Sequence, residues 1–388
     1  MVNKWSKQKL GDVCEINQSK RDNNWKHPII EYIDISSVGV GYLIDKPNLI
    51  SIKEAPSRAQ RLVQDGDTIV STVRPNRRSM LYIKSPKQNT VVSTGFAVLH
   101  PKKIDPRFLY YTVFDQEFTD YLTARADGSA YPAVSPEVIS DAELDLPPLP
   151  EQRAIAGILG ALDDKIELNR RMNATLESIA RVAFHQWFVE GEEVKGWEQT
   201  NLGEVVTIFD SKRVPLSGRV RAERQGQYPY YGAASVMDYI DDYLFDGIYV
   251  LMAEDGSVID DNDHPVIQYV WGKFWVNNHA HVLQGANGIC NEHLYLFLKE
   301  LNIRPYITGA VQPKINQANM CSIPFVLPPQ EICKKFEEVV SPLFAQIRLN
   351  TEESRMLASL RNGLLPRLMR GEVRVKDLDI TMSFKMAN

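Results

Sequence analysis

Two stretches of the chain decide its architecture. Residues 146–178 read LPPLPEQRAIAGILGALDDKIELNRRMNATLES, and residues 327–359 read LPPQEICKKFEEVVSPLFAQIRLNTEESRMLAS. At a constant offset of 181 residues and without a gap, Leu146-Pro147-Pro148 matches Leu327-Pro328-Pro329, Leu168-Asn169 matches Leu349-Asn350, and the apolar positions between them recur. The match extends upstream, where Gly128 and Pro132 correspond to Gly309 and Pro313. A repeat of this length predicts that the chain contains two copies of one structural unit.

A second match marks where each unit begins. Trp5 and the run Leu10–Val13 correspond to Trp197 and the run Leu202–Val205, at an offset of 192 residues. Between this opening and the Pro-Pro element, each unit has short runs rich in Val, Ile, Thr and Tyr that are separated by Gly, Asp and Pro. Such runs are typical of strands and turns. The sequence therefore predicts an α+β fold.

A long amphipathic helix is expected after each Pro-Pro element. Its apolar residues recur at heptad spacing, and at 1.5 Å per residue it would be roughly 50–60 Å long. Because an apolar seam of this length needs a partner, we expect the two helices to form a coiled coil. Asn169 and Asn350 recur in the seam, either as buried residues that fix the register or at a wet centre. The expected segments are a globular domain at 1–148, a helix at 149–190, a globular domain at 191–329, a helix at 330–371 and a tail at 372–388.

Composition places the chain among multidomain proteins of the cytoplasm. It has 388 residues, too many for one ordinary core. The first ten residues lack the apolar region of a signal peptide, and no run is long enough for a membrane helix. The four cysteines form no CxxC pair, which is typical of free thiols in a reducing compartment.

Charge is distributed unevenly. The formal net charge of −5 argues mildly against nucleic-acid binding. However, Arg58–Lys87 has seven basic residues against two acidic ones, and Lys212–Arg224 has five against one. Asp238–Asp263 has nine acidic residues and no Lys or Arg, so it forms either solvated turns or a surface that repels phosphate. Local basic patches thus keep nucleic-acid binding open.

No catalytic motif is found. Gly272-Lys273 is followed by Phe274, so there is no Walker loop, and the amino-methyltransferase motif is missing. His279 and His281 have no neighbouring carboxylate or Cys in the sequence, which favours a structural or DNA-contacting role over metal binding. Asp163-Asp164-Lys165 loosely resembles a nuclease motif but lies on the predicted helix. We therefore expect a non-catalytic chain without a metal or cofactor of its own.

These features together resemble the specificity subunit of a Type I restriction–modification system. The resemblance rests on the two Trp-x4-Leu-Gly-[Asp/Glu]-Val openings, Leu146–Gln152, the Leu-Asn pairs at 168–169 and 349–350, and the ending from Leu364 to Val373. It implies two target-recognition domains separated by two antiparallel helices. It also implies assembly with two modification (methyltransferase) subunits and with restriction (translocase-nuclease) subunits, which would bind S-adenosylmethionine, ATP and Mg. Ile332-Cys333 stands where the first unit has Glu151-Gln152, so that junction departs from the pattern.

The resemblance implies that the chain reads double-stranded DNA as two different half-sites, forming a split, non-palindromic target. Cations would bind phosphates, and a few side chains would read base edges. The candidate DNA-binding residues are Arg58, Arg61, Arg74, Arg77, Arg78, Lys212, Arg213, Arg219, Arg221, Arg224, Tyr230, Asn278 and Gln312. Tyr230 would stack on bases or else pack in the core, whereas the two amides would pair with adenine.

Apolar residues outside the heptad seam suggest a second packing layer on the helices. The candidate partner-binding residues are Leu159, Ile166, Leu168, Val340, Ile347 and Leu349. The layer covering them would be either the methyltransferase subunits or the chain's own recognition domains folding back. Two other functions stay open at this point: a coiled-coil scaffold that binds no DNA, and an enzyme with unrecognised motifs.

Overall fold

The computed structural model describes residues 5–22, 25–44, 46–309 and 312–377. The chain divides into two compact units. Unit 1 comprises Met1–Glu167 and Arg355–Asn388, and unit 2 comprises Leu168–Ser354. Each unit therefore combines the globular part of one repeat with a portion of each long helix. Of the expected tail at 372–388, the residues after 377 lie outside the described ranges.

Unit 1 contains three sheets, with strand orders β2-β9-β6-β7, β4-β3-β8-β5 and β1-β10. All pairings are antiparallel except that of β3 with β8. The strands are β1 Ser6–Lys9, β2 Cys14–Ile16, β3 Ile29–Ile33, β4 Asn48–Ser51, β5 Ala59–Leu62, β6 Thr68–Ser71, β7 Met80–Tyr82, β8 Thr90–Ser93, β9 Phe96–Pro101 and β10 Glu143–Leu146. The helices are α1 Leu10–Val13, α2 Pro106–Phe114, α3 Gln116–Thr123, α4 Pro136–Ser140 and the long α5 Leu149–Phe188, which continues into unit 2.

Unit 2 repeats this topology, with strand orders β12-β19-β16-β17, β14-β13-β18-β15 and β11-β20. Its strands are β11 Glu198–Asn201, β12 Val206–Ile208, β13 Gln225–Tyr231, β14 Val236–Ile240, β15 Phe245–Asp246, β16 Tyr249–Ala253, β17 Ile267–Val270, β18 Lys273–Val276, β19 Ala280–Gly285 and β20 Pro324–Leu327. The helices are α6 Gly218–Glu223, α7 Asn291–Glu300, α8 Gln317–Cys321 and the long α9 Gln330–Met369, which continues into unit 1. The prediction of an α+β fold with an internal repeat is confirmed.

The continuous apolar runs in the central strands reflect burial on both faces. In β6, Ile69 faces a core shared with β3 and β8, whereas Val70 faces a core shared with α2 and α5. In β16 the same alternation places Leu251 between the sheets and Val250 against α7. Successive side chains of a strand point to opposite faces, so a strand covered on both sides carries apolar residues at every position.

The two long helices each have 40 residues and run antiparallel where unit 2 contains both. Asn169 Nδ2 donates to the Asn350 carbonyl at 3.3 Å, and Asn173 Nδ2 donates to the Ile347 carbonyl at 3.3 Å. Asn350 Nδ2 donates to Asn173 Oδ1 at 2.8 Å. Asn169 and Asn350 are buried, so these asparagines form a polar layer inside the seam and not a wet, frayed centre. In the described ranges, no helix is both long enough and apolar enough to cross a membrane.

Candidate nucleic-acid interface

Unit 1 presents two loops that are joined by backbone hydrogen bonds. The loop between β6 and β7 lies beside a hairpin, where the Arg74 N–H donates to the Pro132 carbonyl at 2.7 Å and the Val134 N–H to the Thr72 carbonyl at 2.9 Å. Gly128 opens this hairpin with a φ of +98°, and a Cβ there would lie 3.0 Å from the Tyr131 carbonyl oxygen. Only glycine adopts this turn without strain. Residues 72–79 and 127–134 are called the unit 1 loop pair below.

Unit 2 has the same arrangement at the corresponding positions. The Ile315 N–H donates to the Glu254 carbonyl at 3.0 Å, and Asp255 forms a β-bridge with Lys314. Gly309 has a φ of +87°, and a Cβ there would lie too close to the Gln312 carbonyl oxygen, which matches the position of Gly128 relative to Tyr131. Residues 254–266, 308–309 and 312–315 are called the unit 2 loop pair. The repeat thus builds one exposed loop pair in each unit.

The unit 1 loop pair carries arginines without acidic partners. The Arg74 guanidinium lies 4.4 Å from the ring centroid of Tyr131, whose exposed fraction is 69%. The Arg77 side chain is exposed and makes no hydrogen bond or ion pair with the described part of the chain. Arg78 donates to the Phe114 carbonyl, and burial lowers the pKa of its guanidinium. None of these three side chains therefore forms an ion pair with a described acid, although Asp115 and Asp120 lie near enough to Arg78 to oppose the effect of burial on its pKa.

The other two arginines predicted in unit 1 are held by the strands. Arg58 forms an ion pair with Asp34 and donates to the Tyr32 hydroxyl at 3.2 Å. Arg61 donates to Asn17 Oδ1 and to the Phe96 carbonyl, and burial lowers the pKa of its guanidinium. Both side chains are already engaged in contacts that stabilise the sheet.

The arginines predicted in unit 2 are all paired with acids. Their pairs are Arg213 with Glu254 at 2.7 Å, Arg219 with Glu223 at 3.3 Å, Arg221 with Asp238 at 3.2 Å and Arg224 with Asp241 at 2.8 Å. Lys212 is exposed and lies 5.1 Å from the Phe209 ring centroid, without an ion pair to any described residue. Members of the acidic run Asp238–Asp263 thus neutralise arginines, which neither of the two sequence-based interpretations anticipated.

The remaining DNA-binding candidates of unit 2 differ in exposure. Tyr230 is buried, and its hydroxyl accepts from the Leu216 N–H at 2.9 Å. The prediction that Tyr230 contacts DNA is therefore corrected, because no surface of its ring is available for stacking. Asn278 is exposed and precedes His279, whose ring contacts Asp255 of the unit 2 loop pair. Gln312 is exposed and lies within the loop pair.

Four ionisable side chains meet at the base of the unit 2 loop pair. His281 Nδ1 lies 2.6 Å from Asp210 Oδ2 and 3.8 Å from Glu254 Oε2. Arg213 donates to Glu254 and to the Ala280 carbonyl, both at 2.7 Å. Asp210, Glu254 and His281 have the composition of a metal site. The arrangement does not fit a cation, because the Arg213 guanidinium is already ion-paired with both carboxylates, at 2.7 Å from Glu254 and 3.5 Å from Asp210.

The Asp163-Asp164-Lys165 motif lies on α5, and its carboxylates are engaged in unit 1. Asp163 accepts from the Tyr111 hydroxyl at 2.6 Å and from Arg361 at 2.5 Å. Asp164 accepts two hydrogen bonds from Arg107, at 2.7 and 2.9 Å. These carboxylates attach the helices to the globular part of the unit.

The candidate partner-binding residues separate into covered and exposed sets. Leu159 and Val340 are fully buried in the cores of their own units. They are corrected as docking residues, because the chain's own globular parts cover them. Ile166 and Ile347 are half-buried. Leu168 and Leu349 are 52% and 65% exposed, at positions that correspond in the repeat.

Sequence reasoning missed Tyr131 and the pairing of the loops. The signal was present, because the glycine and proline of each hairpin recur at the same spacing in both repeats. It also missed the contact of His281 with Asp210 and Glu254, which lie 71 and 27 positions away in the sequence. No local motif marks such a cluster.

Comparisons with known proteins agree with this architecture. The HindI specificity subunit of a Type I restriction enzyme from Haemophilus influenzae is 24% identical, over 95% of this chain and 99% of the relative. The MjaIX specificity subunit of Methanocaldococcus jannaschii is also 24% identical, over 96% and 94%. The crystal structure of a Type-I restriction-modification system S subunit from M. genitalium has a TM-score of 0.55 at 17% identity, covering 95% of this chain and 97% of that one, and supports the fold alone.

The family model gives the assignment. The model described as the Type I restriction modification DNA specificity domain matches residues 3–178 and again residues 194–357. Since the relatives are specificity subunits, the prediction of a specificity subunit in place of a catalytic chain is also confirmed. With two copies of this domain along its length, the chain belongs to the family of Type I restriction–modification specificity subunits.

Proposed function

We propose that the chain reads a bipartite, non-palindromic DNA target and directs methyltransferase and restriction subunits to it. The observation that carries this proposal is the unit 1 loop pair, in which Arg74, Arg77 and Arg78 form no ion pair with a described acid. A DNA-binding surface needs cations that can release the counterions of phosphates. Arginines that are already ion-paired within the protein supply less of this effect.

Unit 1 would read its half-site through cations and one aromatic side chain. Arg77, the most accessible, would contact phosphate or the edge of a guanine, which presents two acceptors to a bidentate guanidinium. Tyr131 and Arg74 already contact each other as an aromatic–cation pair, and they would enter a groove together. Arg78 is fixed by its bond to Phe114, which preorganises the loop.

Unit 2 would read its half-site with different chemistry. Its loop pair presents the amide of Gln312 and the ammonium of Lys314. Asn278 is adjacent in sequence to His279, whose ring contacts Asp255 of the loop pair. Amide side chains pair with the N6 and N7 edge of adenine. Because the two loop pairs present different groups, the two half-sites are expected to differ in sequence.

The segments assigned from the sequence are part of this proposal. Domains 1–148 and 191–329 would read the half-sites, while helices 149–190 and 330–371 would set the gap between them. Residues 372–388 would form a tail, of which Val373 and Val375 pack on the core of unit 1. Lengthening both helices by a heptad, about 10 Å, is expected to change the tolerated gap and leave both half-sites intact. An unchanged gap contradicts the spacer role.

The methyltransferase subunits would dock on the exposed apolar stripe of α5. Leu168, Met172, Ile179 and Val182 follow each other at spacings of 4, 7 and 3 residues, so they share one helix face, and all four are exposed. On α9, Leu349 occupies the position that corresponds to Leu168 in the internal repeat, and it is also exposed. Because the two leucines are related by the repeat, we expect two methyltransferase subunits per chain. S-adenosylmethionine, ATP and Mg would be bound by the partner subunits, and the assembly would act in the cytoplasm.

Sequencing of methylated DNA tests the reading function. The chain is co-expressed with its methyltransferase partner, and the modified positions are mapped across the host genome. We expect one split motif with two unlike halves. The purified complex should then bind a duplex with this motif more tightly than a duplex of the same composition in scrambled order. A contiguous or palindromic motif contradicts the proposal, as does equal affinity for both duplexes.

Light scattering of the co-purified complex tests the docking surface. Leu168→Glu and Leu349→Glu are each expected to remove one methyltransferase subunit from a two-to-one complex. Met237→Glu, which changes an exposed apolar residue on β14, serves as the matched control and should leave the mass unchanged. A one-to-one complex of the unmodified chain, or an intact complex in both leucine variants, places the docking surface elsewhere.

A further inference from the structure

The ion cluster at the base of the unit 2 loop pair has a defined protonation state. His281 is 1% exposed, and its Nε2 lies 2.9 Å from the Ile315 carbonyl oxygen. A carbonyl can only accept, so Nε2 must carry a proton. Nδ1 faces the Asp210 carboxylate at 2.6 Å, which also accepts. The geometry therefore favours a doubly protonated imidazolium whose two N–H groups both donate.

Electrostatics supports this state. Burial alone would lower the pKa of His281, but the hydrogen bond and charge of Asp210, the Ile315 carbonyl and the charge of Glu254 outweigh burial and hold the pKa above its ordinary value. Burial likewise opposes ionisation of Asp210, yet its contacts with His281 lower the pKa of this carboxyl. With Arg213 paired to Glu254, two positive and two negative charges balance in the cluster.

The cluster holds the segment that carries Gln312. Ile315 is fixed twice, because its carbonyl accepts from His281 and its N–H donates to the Glu254 carbonyl. Gln312 lies three residues earlier and is exposed. Outside the cluster, Asp255 contacts His279 Nδ1 at 2.5 Å and Lys314 Nζ at 3.8 Å. One further titratable group, the Cys321 thiol on α8, faces Asp210.

Unit 1 keeps the arginine of this cluster, because Arg21 matches Arg213 at the offset of 192 residues, but it lacks the other three ionisable groups, and Gln18 stands where unit 2 has Asp210. Val70 pairs with Ala97 in the sheet of unit 1 as Met252 pairs with His281 in unit 2. Ala97 therefore stands where unit 2 has the histidine. The Val134 N–H donates to the carbonyl of Thr72, a neutral residue, where the Ile315 N–H donates to that of Glu254. Unit 1 is thus an internal control for any effect of the cluster.

We propose that His281 is a positioning residue for recognition of the second half-site: its charged ring holds Gln312–Ile315 in the reading position. At higher pH the Nε2 proton is lost to solvent while Nδ1–H still donates to Asp210, so the Ile315 carbonyl loses its donor and this segment is released. The inference rests on the proposed function, since it concerns how unit 2 reads DNA. The contact is complete at low pH and is lost as the pH rises through the pKa of the folded histidine, because that pKa is raised. Recognition of half-site 1 should be insensitive to the same change.

Equilibrium binding at two pH values tests this proposal with the full chain in its methyltransferase complex. Fluorescence anisotropy measures the dissociation constant of the intact target and of duplexes with one base pair changed in half-site 1 or half-site 2. Between pH 6.5 and 8.5, the penalty for a change in half-site 2 is expected to fall about fivefold. The penalty for a change in half-site 1 should stay constant. The proposal is overturned if the two penalties depend equally on pH, or if neither penalty depends on pH.

Three variants assign the effect to His281. His281→Gln should show the reduced half-site 2 penalty at both pH values, because the amide is neutral and its two N–H groups share one nitrogen, so they cannot reach both Asp210 and the Ile315 carbonyl. His279→Gln removes the exposed neighbouring histidine, and His100→Gln breaks the His100–Asp67 pair of unit 1; both should keep the pH dependence of the unmodified chain. If either control variant loses the pH dependence of the half-site 2 penalty, the proposal is overturned.

A measurement without mutation covers the case in which His281→Gln fails to fold. Hydrogen exchange of the Ile315 amide in the unmodified complex should accelerate as the pH rises, beyond the intrinsic rate increase and beyond that of Val134 in unit 1. Equal changes at the two amides contradict the positioning role. If the intact target binds no better than scrambled DNA at any pH, the proposed function fails as well. Tight binding with a pH-independent half-site 2 penalty refutes this inference alone.

Discussion

The two basic clusters of the chain have similar composition in the sequence but differ in the structure in how their arginines are ion-paired. In unit 1, Arg58, Lys84 and Lys87 pair with acids. The three arginines of the loop pair, Arg74, Arg77 and Arg78, make no ion pair with a described residue. In unit 2, Arg221 and Arg224 pair with Asp238 and Asp241, each 17 residues away. A basic cluster in the sequence therefore indicates a positive surface only if acidic residues from other parts of the chain do not pair with it in the fold. Unit 2 uses its arginines mainly to connect α6, β14 and the loop pair.

This difference predicts unequal dependence on salt. The unpaired cations of unit 1 would release counterions when they bind phosphate, and each such contact adds about one unit to the salt slope. The paired arginines of unit 2 would contribute less, so its recognition would depend more on hydrogen bonds from Gln312 and Asn278. The following variants break or sharpen this contrast.

The largest effect is expected from Arg213→Met. The Arg213 side chain is 13% exposed and lies between Asp210 and Glu254. Its removal leaves an excess buried negative charge, which typically costs about 3 kcal/mol of unfolding free energy. Differential scanning calorimetry should show a lower transition temperature. Hydrogen exchange should place the loss in unit 2.

The matched control is Arg77→Met, which removes an exposed arginine of unit 1. It should leave the thermal transition unchanged, because that side chain is exposed and makes no hydrogen bond or ion pair with the described residues. Equal destabilisation by the two changes contradicts the division into structural and binding arginines.

The next effect concerns DNA affinity. Combining Arg74→Ala with Arg77→Ala should weaken binding of the intact target about tenfold at moderate salt and lower the salt slope by about two units. Anisotropy titrations over a range of salt concentrations measure both quantities. The same pair of changes at Arg221 and Arg224 should lower the slope by less than one unit, since Asp238 and Asp241 already neutralise them. Slopes that fall equally in the two double variants refute the contrast.

A gain of affinity is expected when the acids of unit 2 are neutralised. Asp241 and Asp242 both lie near Arg224, at 2.8 and 3.5 Å. Changing both to Asn frees the guanidinium and should raise affinity for scrambled DNA about threefold, because the local charge becomes positive. Specificity for the intact target should decrease accordingly. No gain at low salt means that this face of unit 2 lies away from the DNA.

Much of the fold follows from the sequence for physical reasons. The repeat, the Pro-Pro elements and the heptad seam all reflect local rules, since proline limits backbone conformation and an apolar seam requires a partner. The helices begin and end at Leu149–Phe188 and Gln330–Met369. The buried asparagines were visible as polar interruptions of the seam.

The candidate site was less predictable, because its contacts join distant parts of the chain. Arg213 and Glu254 are 41 residues apart, and only the sheet brings them together. The aromatic neighbours of Tyr230 in the sequence favour a role in stacking on bases. The parallel pairing of β13 with β18 instead places Tyr230 in the interior. Leu159 and Val340 were apolar and outside the seam, but nothing in the sequence shows which surface covers them.

The smallest effect is expected from Arg219→Ala, which also tests whether an exposed, ion-paired arginine of unit 2 takes part in DNA binding. The Arg219 side chain is 90% exposed, and its partner Glu223 lies one helical turn away on α6. An exposed pair of this kind contributes little to stability, because solvent screens it and both side chains lose freedom when they pair. The transition temperature should therefore change by about 1 °C or less. DNA affinity should change by less than about twofold. If this variant instead loses as much affinity as Arg77→Ala, the Arg219–Glu223 pair must open when DNA binds, and unit 2 would use its helix α6 as a cationic surface after all.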